Sequence, residues 1–360
     1  MQGKMKAQVF YEKEVMKMEE VPIPQLNADE VLIKVKAVGI CGSDVAYFFG
    51  KTPLDTPSGK GPLIMGHEFC GEIVELGKSV EESGIYKTGD RVIANPAQVC
   101  YSCPQCKKFH YNLCNDIHQA GTGVDGAYAE YVKIRYQNLF KMPDNMSYEE
   151  GCICEPVACA THGVNKLDIH ADDTVAIIGP GNIGLIMCQL IHAKGPKKII
   201  MVGIADYGLS KALEYGADHV FNTYDHTSPY YTKDLAGDIE KITAGSLADK
   251  VIVPTAAISA LEQALDISGF GSTITYFGMP KPEDLLNLPV MKAIMMEKTI
   301  RTSWLAPDSW PEAISAVAEK KVDAEKLITH RFQLDQAEDA IRFMADHSYP
   351  EKIKSVILMD

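Results

Sequence analysis

Between residues 6 and 38 apolar and polar positions alternate with a period of two, as where Ile33, Val35 and Ala37 interleave with Lys34 and Lys36. Such alternation predicts short half-buried strands, and Pro22 and Pro24 punctuate the turn before this run. Further strands are expected at 70–76, 91–95 and 127–134, separated by the turn sequences Thr88-Gly89-Asp90 and Asp125-Gly126. Strands so spaced predict an all-β, barrel-like domain. Near Ser147 the character changes, because Ser147 and Glu150 form a capping box that opens a helix carrying Glu155 toward a second domain. Strands at 174–178, 198–202, 250–253 and 273–277 then interleave with helices that include 182–194 and 209–215. That alternation predicts βαβ units, a parallel sheet and helices on both faces. Two helical patterns at 311–320 and 334–346 precede a last strand at 354–359 that returns to the first domain. The expected division is therefore 1–158, 159–300 and a return segment 301–360.

Composition narrows the function classes. A chain of 360 residues exceeds one ordinary core, so two domains are expected. The formal net charge of −13, with no Lys/Arg run, argues against a nucleic-acid partner. No apolar stretch approaches the roughly 20 residues of a membrane span, and the start of the chain leads into a strand pattern, so the cytosol is the expected compartment.

Two ligand sets carry the metal chemistry. Of the ten cysteines, Cys100, Cys103, Cys106 and Cys114 form a C-x2-C-x2-C-x7-C run whose short spacings let the sulfurs converge on one ion. Four thiolates close a tetrahedral site, which is the structural kind, and zinc is preferred over an iron–sulfur cluster. Separately, Cys41, His67, Glu68 and the distant Glu155 offer a thiolate, an imidazole and two carboxylates, a donor set that suits an open zinc site. The turn Gly179-Pro180-Gly181-Asn182-Ile183-Gly184 is a G-x-G-x-x-G that follows a strand and opens a helix, the context in which it receives a dinucleotide pyrophosphate. At the end of the next strand, where an acidic residue commonly holds ribose, the chain has Gly203, with Asp206 three residues on. No arginine is nearby to grip a 2′-phosphate, which leans to NAD over NADP with the choice left open.

The order of these motifs resembles the zinc-containing medium-chain dehydrogenase/reductase family, and Cys41-Gly42-Ser43-Asp44 with Glu155-Pro156 resembles its sorbitol and polyol branch. The resemblance implies an α/β protein with a GroES-like β-barrel catalytic domain, a Rossmann domain with a doubly wound parallel sheet, and one catalytic and one structural zinc. It further implies a homo-oligomer, dimer or tetramer. Cys41 and His67 are similar to the fixed catalytic ligands, Glu68 and Glu155 are both candidates for the remaining carboxylate, and Ser43 resembles the hydroxyl that takes the substrate's proton. Ala46 stands where many relatives place a proton-relaying histidine. Leu305 and Ala306 stand where sorbitol dehydrogenase faces its polyol with an arginine and a tyrosine. Tyr47, Phe48 and Trp304 are expected as apolar pocket walls. The stretch from Ile199 to Gly203 also resembles NADP-preferring secondary-alcohol dehydrogenases, with Ala205 in place of their arginine.

The expected activity is hydride transfer between a secondary alcohol, either a polyol, a cyclic polyol or a sugar derivative, and NAD(P). An NADP-dependent short-chain secondary-alcohol or diol dehydrogenase is the alternative. A zinc-free enone or quinone reductase predicts loss of Cys41, His67 and the cysteine lobe, which the chain retains. A non-enzymatic zinc-ribbon module is opposed by the acidic charge and by the dinucleotide turn.

Overall fold

A computed structural model describes residues 2–346 and 348–359. It divides into two compact units, one built from the residues through Pro156 together with those from Ala324 onward, the other from Val157–Asp323.

In the first unit the strand Glu30–Gly39 is the centre of a seven-stranded sheet. It pairs antiparallel with Glu68–Leu76, with Tyr131–Arg135 and with the C-terminal strand Lys354–Leu358. Its apolar side chains Val31, Leu32, Ile33, Val35 and Val38 are buried together with Phe69, Ile73 and Ile357 in the unit's main core. A smaller sheet of Val15–Pro22, Lys4–Glu12 and Leu63–Ile64 packs on the same core. The strand expected to begin at 127 begins at Tyr131 instead. The Ala127 and Tyr128 amides turn aside to the Gly66 and Met65 carbonyls, at 2.9 Å each, and brace the segment that leads into His67.

The second unit is a six-stranded parallel sheet. Numbered along the chain from Thr174–Ile178, its strands lie in the order third, second, first, fourth, fifth, sixth. This is the doubly wound order of a dinucleotide-binding domain. The expected return at 301 is corrected here to Ala324. The strand Thr299–Thr302 adds the sixth strand by parallel pairing with Ser268–Tyr276, and Ser309, just before the helix Trp310–Ala318, donates to the Ala158 carbonyl at 2.7 Å. An exposed strand of sequence Thr-Ile-Arg-Thr has no apolar pattern to reveal it.

Ser147 and Glu150 cap the helix Tyr148–Asn165 reciprocally. The Ser147 amide donates to the Glu150 carboxylate at 3.0 Å, and the Glu150 amide donates to the Ser147 hydroxyl at 3.2 Å. In the first βα turn Gly179 adopts φ +124°, and a Cβ on Gly184 would fall 1.8 Å from the Gly179 carbonyl oxygen. Gly203 is constrained by a different contact. A Cβ there would meet Pro180 Cδ at 2.4 Å, so proline in the phosphate-type turn fills the space that a side chain at 203 would need.

Gly203→Ala is expected to cost about 1–3 kcal/mol through this overlap, read as a lower urea midpoint. Pro180→Ala, which removes the ring, should restore most of the loss in the double variant; no recovery would show that the contact does not control position 203.

Candidate metal centre and dinucleotide turn

Strand register assembles the first ligand set. Gly39 stands opposite Glu68, so the chain just beyond Gly39 and the chain just before Glu68 lie at one end of the sheet. That end holds Cys41, which precedes the helix Gly42–Phe48, and His67, which precedes the strand Glu68–Leu76. One ligand atom each from Cys41, His67 and Glu68 lies within 4.8 Å of the others. Donors around a tetrahedral zinc stand about 3.3–3.8 Å apart, so small shifts close the set on an ion. The residues therefore fit the group that the sequence implies.

Their surroundings are charged and almost dry. Asp44 is fully buried, and its Oδ2 accepts from the Cys41 amide at 2.9 Å and from the Tyr128 hydroxyl at 3.0 Å. Its Oδ1 stands 3.4 Å from His67 Nδ1, an ion-pair separation that orients the ring. On the other side of the imidazole, Nε2 lies 3.4 Å from the Ser43 hydroxyl. Burial alone disfavours the charged His67 ring, but the Asp44 carboxylate and the Cys41 sulfur outweigh it and raise its proton affinity well above the ordinary histidine value. Glu68 Oε2 is in contact with the Lys354 ammonium, and both residues are about 2% exposed or less. Burial disfavours the charged lysine too, yet Glu68 and then Cys41 hold it protonated above its usual range. Glu155, also buried, lies on the helix Tyr148–Asn165 and is outside the group whose ligand atoms converge.

The second set is the cysteine lobe. The Cys100, Cys103, Cys106 and Cys114 sulfurs converge within 4.8 Å, with Cys100 Sγ 3.5 Å from Cys114 Sγ and 4.0 Å from Cys106 Sγ. Backbone amides are aimed at these sulfurs: Cys103 N–H donates to Cys100 at 3.3 Å and Asp116 N–H to Cys114 at 3.3 Å. Hydrogen bonds from Ser102 and Cys103 bring the Cys100 thiol down to about 6, whereas burial pushes Cys106 up to about 12. Deprotonation is thus favoured at Cys100 and opposed at Cys106, where a metal must displace a proton to bind the sulfur.

The alcohol dehydrogenase GroES-like domain family matches residues 27–144, and the zinc-binding dehydrogenase family matches residues 182–319. Sorbitol dehydrogenase of Bacillus subtilis (strain 168) is 34% identical over 339 residues, 94% of this chain and 92% of that protein. The chain belongs to the zinc-dependent alcohol dehydrogenase family. Two solved structures have the same fold throughout. Galactitol-1-phosphate dehydrogenase from Escherichia coli has a TM-score of 0.87 at 27% identity, over 98% of this chain and 100% of that one. A zinc-binding dehydrogenase from Sinorhizobium meliloti 1021 bound to NADP has a TM-score of 0.88 at 28% identity, over 99% of each. As a member of the family, the protein is a zinc-dependent alcohol oxidoreductase that uses a nicotinamide cofactor.

Within this dehydrogenase, Gly179 to Gly184 form the turn that opens the helix Asn182–Lys194, with Gly181 as its N-terminal cap. A Cβ on Gly181 would meet nothing within 4 Å, so backbone amides there are open to a ligand's close approach. Asp206 lies at the start of the helix Asp206–Glu214, where its Oδ1 accepts from Asn222 Nδ2 at 2.7 Å and from the Ser228 hydroxyl at 2.6 Å. Those bonds give it a local structural task. Phe48 is wholly buried in the main core and so is not a pocket wall, while Tyr47 is half-buried and Trp304 is 43% exposed. Residues that pattern reading left without a role are Asp44, Tyr128 and Lys354. Asp44 is signalled only by its place in Cys-Gly-Ser-Asp, Tyr128 by nothing, and Lys354 looks like an ordinary strand lysine.

Two outcomes follow for the dehydrogenase. Cys100→Ser should lower bound zinc by one ion per chain and lower the melting temperature, since structural zinc binding is coupled to folding; an unchanged metal count would remove the lobe from the ligand set. Because the raised proton affinity of His67 makes metal compete with a proton, zinc retention at Cys41, His67 and Glu68 should weaken steadily as pH falls, and dialysis against chelator across pH measures it.

Proposed function

We propose that this dehydrogenase oxidises secondary alcohols of polyol, cyclic polyol or sugar-derivative type with NAD, holding one catalytic and one structural zinc ion. The observation that carries the reading is the convergence of half-buried Cys41 with buried His67 and Glu68 beside Ser43. An ion held there would supply Lewis acidity that favours the deprotonated alcohol, and a bound nicotinamide cofactor would supply the hydride acceptor. Cys41 and His67 are the fixed donors, and Glu68 and Glu155 are the candidates for the remaining carboxylate. Asp44 keeps the His67 ring oriented by its contact with Nδ1. Ser43, two residues beyond Cys41, receives the hydroxyl proton. Ala46 carries no proton-bearing group, so the proton leaves Ser43 by a route other than a histidine at that position.

The substrate argument rests on Leu305 and Ala306, which cannot donate the hydrogen bonds of an arginine and a tyrosine. Loss of such polar contacts weakens the grip on a long hydroxylated chain far more than on a ring-shaped or partly deoxygenated substrate. Gly179, Pro180, Gly181, Asn182, Ile183 and Gly184 are assigned to the cofactor pyrophosphate, with Gly203 and Asp206 beside the ribose. A second reading, an NADP-dependent short-chain secondary-alcohol or diol dehydrogenase, is favoured by one observation: Pro180 excludes any carboxylate-bearing side chain from position 203. The protein is further assigned to the cytosol as a homo-oligomer without a nucleic-acid or membrane partner; no helix among the described residues is long and apolar enough to cross a membrane.

Ser43→Ala is expected to lower kcat and kcat/KM together, by about 10²–10⁴-fold for loss of a proton acceptor; an unchanged kcat would remove Ser43 from the chemistry. A panel of sorbitol, a cyclic polyol, a sugar derivative and a vicinal diol, run with saturating NAD and then NADP, decides substrate and cofactor. Sorbitol as the best substrate would overturn the pocket argument, and an NADP preference above about tenfold, ~1.4 kcal/mol, would favour the second reading.

A further inference from the structure

Tyr128 is wholly buried, and its backbone is held from both sides: the amide donates to the Met65 carbonyl at 2.9 Å, and the carbonyl accepts from the Gln8 amide at 2.8 Å. Its ring lies on Gly66, the residue before His67. Gly66 has φ +90°, and a Cβ there would fall 2.6 Å from Tyr128 Cδ1, so only glycine lets the ring come this close. From this seat the phenol donates to Asp44 Oδ2, the same oxygen that accepts from the Cys41 amide. Burial, and after it the Asp44 carboxylate, push the Tyr128 proton affinity well above the ordinary tyrosine value, which keeps the hydroxyl a donor. Asp44 Oδ1 receives neither bond. It is buried without a hydrogen-bond partner among the described residues, as is His67 Nδ1, and the two atoms stand 3.4 Å apart. Buried polar atoms so placed have only each other to pair with.

We propose that Tyr128 is a positioning residue of the metal centre, whose hydroxyl pins one oxygen of Asp44 so that the other faces His67 and holds the imidazole in one orientation and one tautomer. The inference rests on the metal-centre reading of Cys41, His67 and Glu68. A carboxylate held by one donor can turn about its side-chain bonds, whereas donors from two separate segments, at Cys41 and Tyr128, fix its plane. An imidazole that keeps its proton at Nδ1, toward Asp44, offers its lone pair at Nε2 alone. A phenol that merely drew charge from Asp44 predicts the opposite sign, because its loss would make Asp44 a stronger acceptor and tighten the hold of His67 on the ion.

The test uses the full-length enzyme with its lobe zinc retained and Co²⁺ loaded into the other site, followed by visible absorption during transfer to a chelator. Tyr128→Phe keeps the ring on Gly66 and removes only the hydroxyl. It should release Co²⁺ about fivefold faster than wild type, with a changed visible spectrum, because the loss of one pin lets the His67 ring take more than one arrangement. Release at the wild-type rate would assign the tyrosine to the core alone, and slower release would assign it to charge withdrawal; either result overturns the proposal. In an Asp44→Ala background no carboxylate is left to pin, so adding Tyr128→Phe should change the release rate by less than about twofold. A fivefold effect there as well would mean that the hydroxyl acts by a route other than Asp44, which also overturns the proposal. Should Tyr128→Phe fail to fold, Asp44→Asn replaces it. Two donors on one oxygen would turn the new amide's NH₂ toward His67 Nδ1, against the proton there, so Co²⁺ should be lost; retention at the wild-type rate would show that position 44 is not pinned. A wild-type enzyme that takes up no Co²⁺ beyond the lobe would instead remove the metal-centre reading itself.

Discussion

The pairing of Gly39 with Glu68 on one side and with Val356 on the other is the constraint on which the candidate metal centre depends. A strand register is an all-or-none property, because a slip of one residue turns every side chain to the opposite face. Here the pairing shifts at two irregularities along the strand, and the alignment is held by the buried side chains of Val31, Leu32, Ile33, Val35 and Val38. The polar end of the sheet inherits its geometry from the apolar middle. Glu68 and Lys354 lie on paired strands, and Cys41 and His67 lie within two residues of a strand end.

Charge is then arranged around that end with little help from water. Asp44, His67, Glu68 and Lys354 are all buried, and such groups persist only when each has a partner of opposite sign or a hydrogen-bond donor. Asp44 has the Cys41 amide, the Tyr128 hydroxyl and the His67 ring; Glu68 has Lys354. The donors of the metal set are thereby fixed in orientation by neighbours that are themselves fixed. Ser43 enters the same neighbourhood because the helix Gly42–Phe48 is anchored by buried Phe48, whose ring lies under the Arg342 guanidinium at 4.8 Å.

Much of this was legible in the residues. Periodicity located the parallel-sheet strands and the helix Asn182–Lys194, and residue type with spacing singled out the two sulfur-containing groups of candidate ligands whose atoms converge. What pattern could not supply were features whose cause lies far away in the chain. The exposed strand Thr299–Thr302 is held by its neighbour Ser268–Tyr276 and carries no pattern of its own, which misplaced the return of the chain by more than twenty residues. Phe48 reads equally as wall or core until Arg342 and the main core are seen around it. Gly203 looks like a missing acidic residue, whereas its smallness answers to Pro180. A lysine within an apolar strand suggests a surface side chain, and nothing local announces that Lys354 faces a carboxylate 286 residues earlier.

The late position of Lys354 has a consequence for biosynthesis. A ribosome delivers the chain from its N-terminus, and Cys41, His67 and Glu68 emerge long before the strand that carries Lys354. Until that strand docks beside Gly39, Glu68 lacks its ammonium partner and the first sheet has an open edge where Lys354–Leu358 will pair. The nascent catalytic unit therefore spends the whole synthesis of the dinucleotide-binding unit unfinished, with its carboxylate unbalanced and its backbone partly unpaired. Completion of the electrostatic frame around the candidate metal donors thus waits on a strand that follows the whole second unit in the chain.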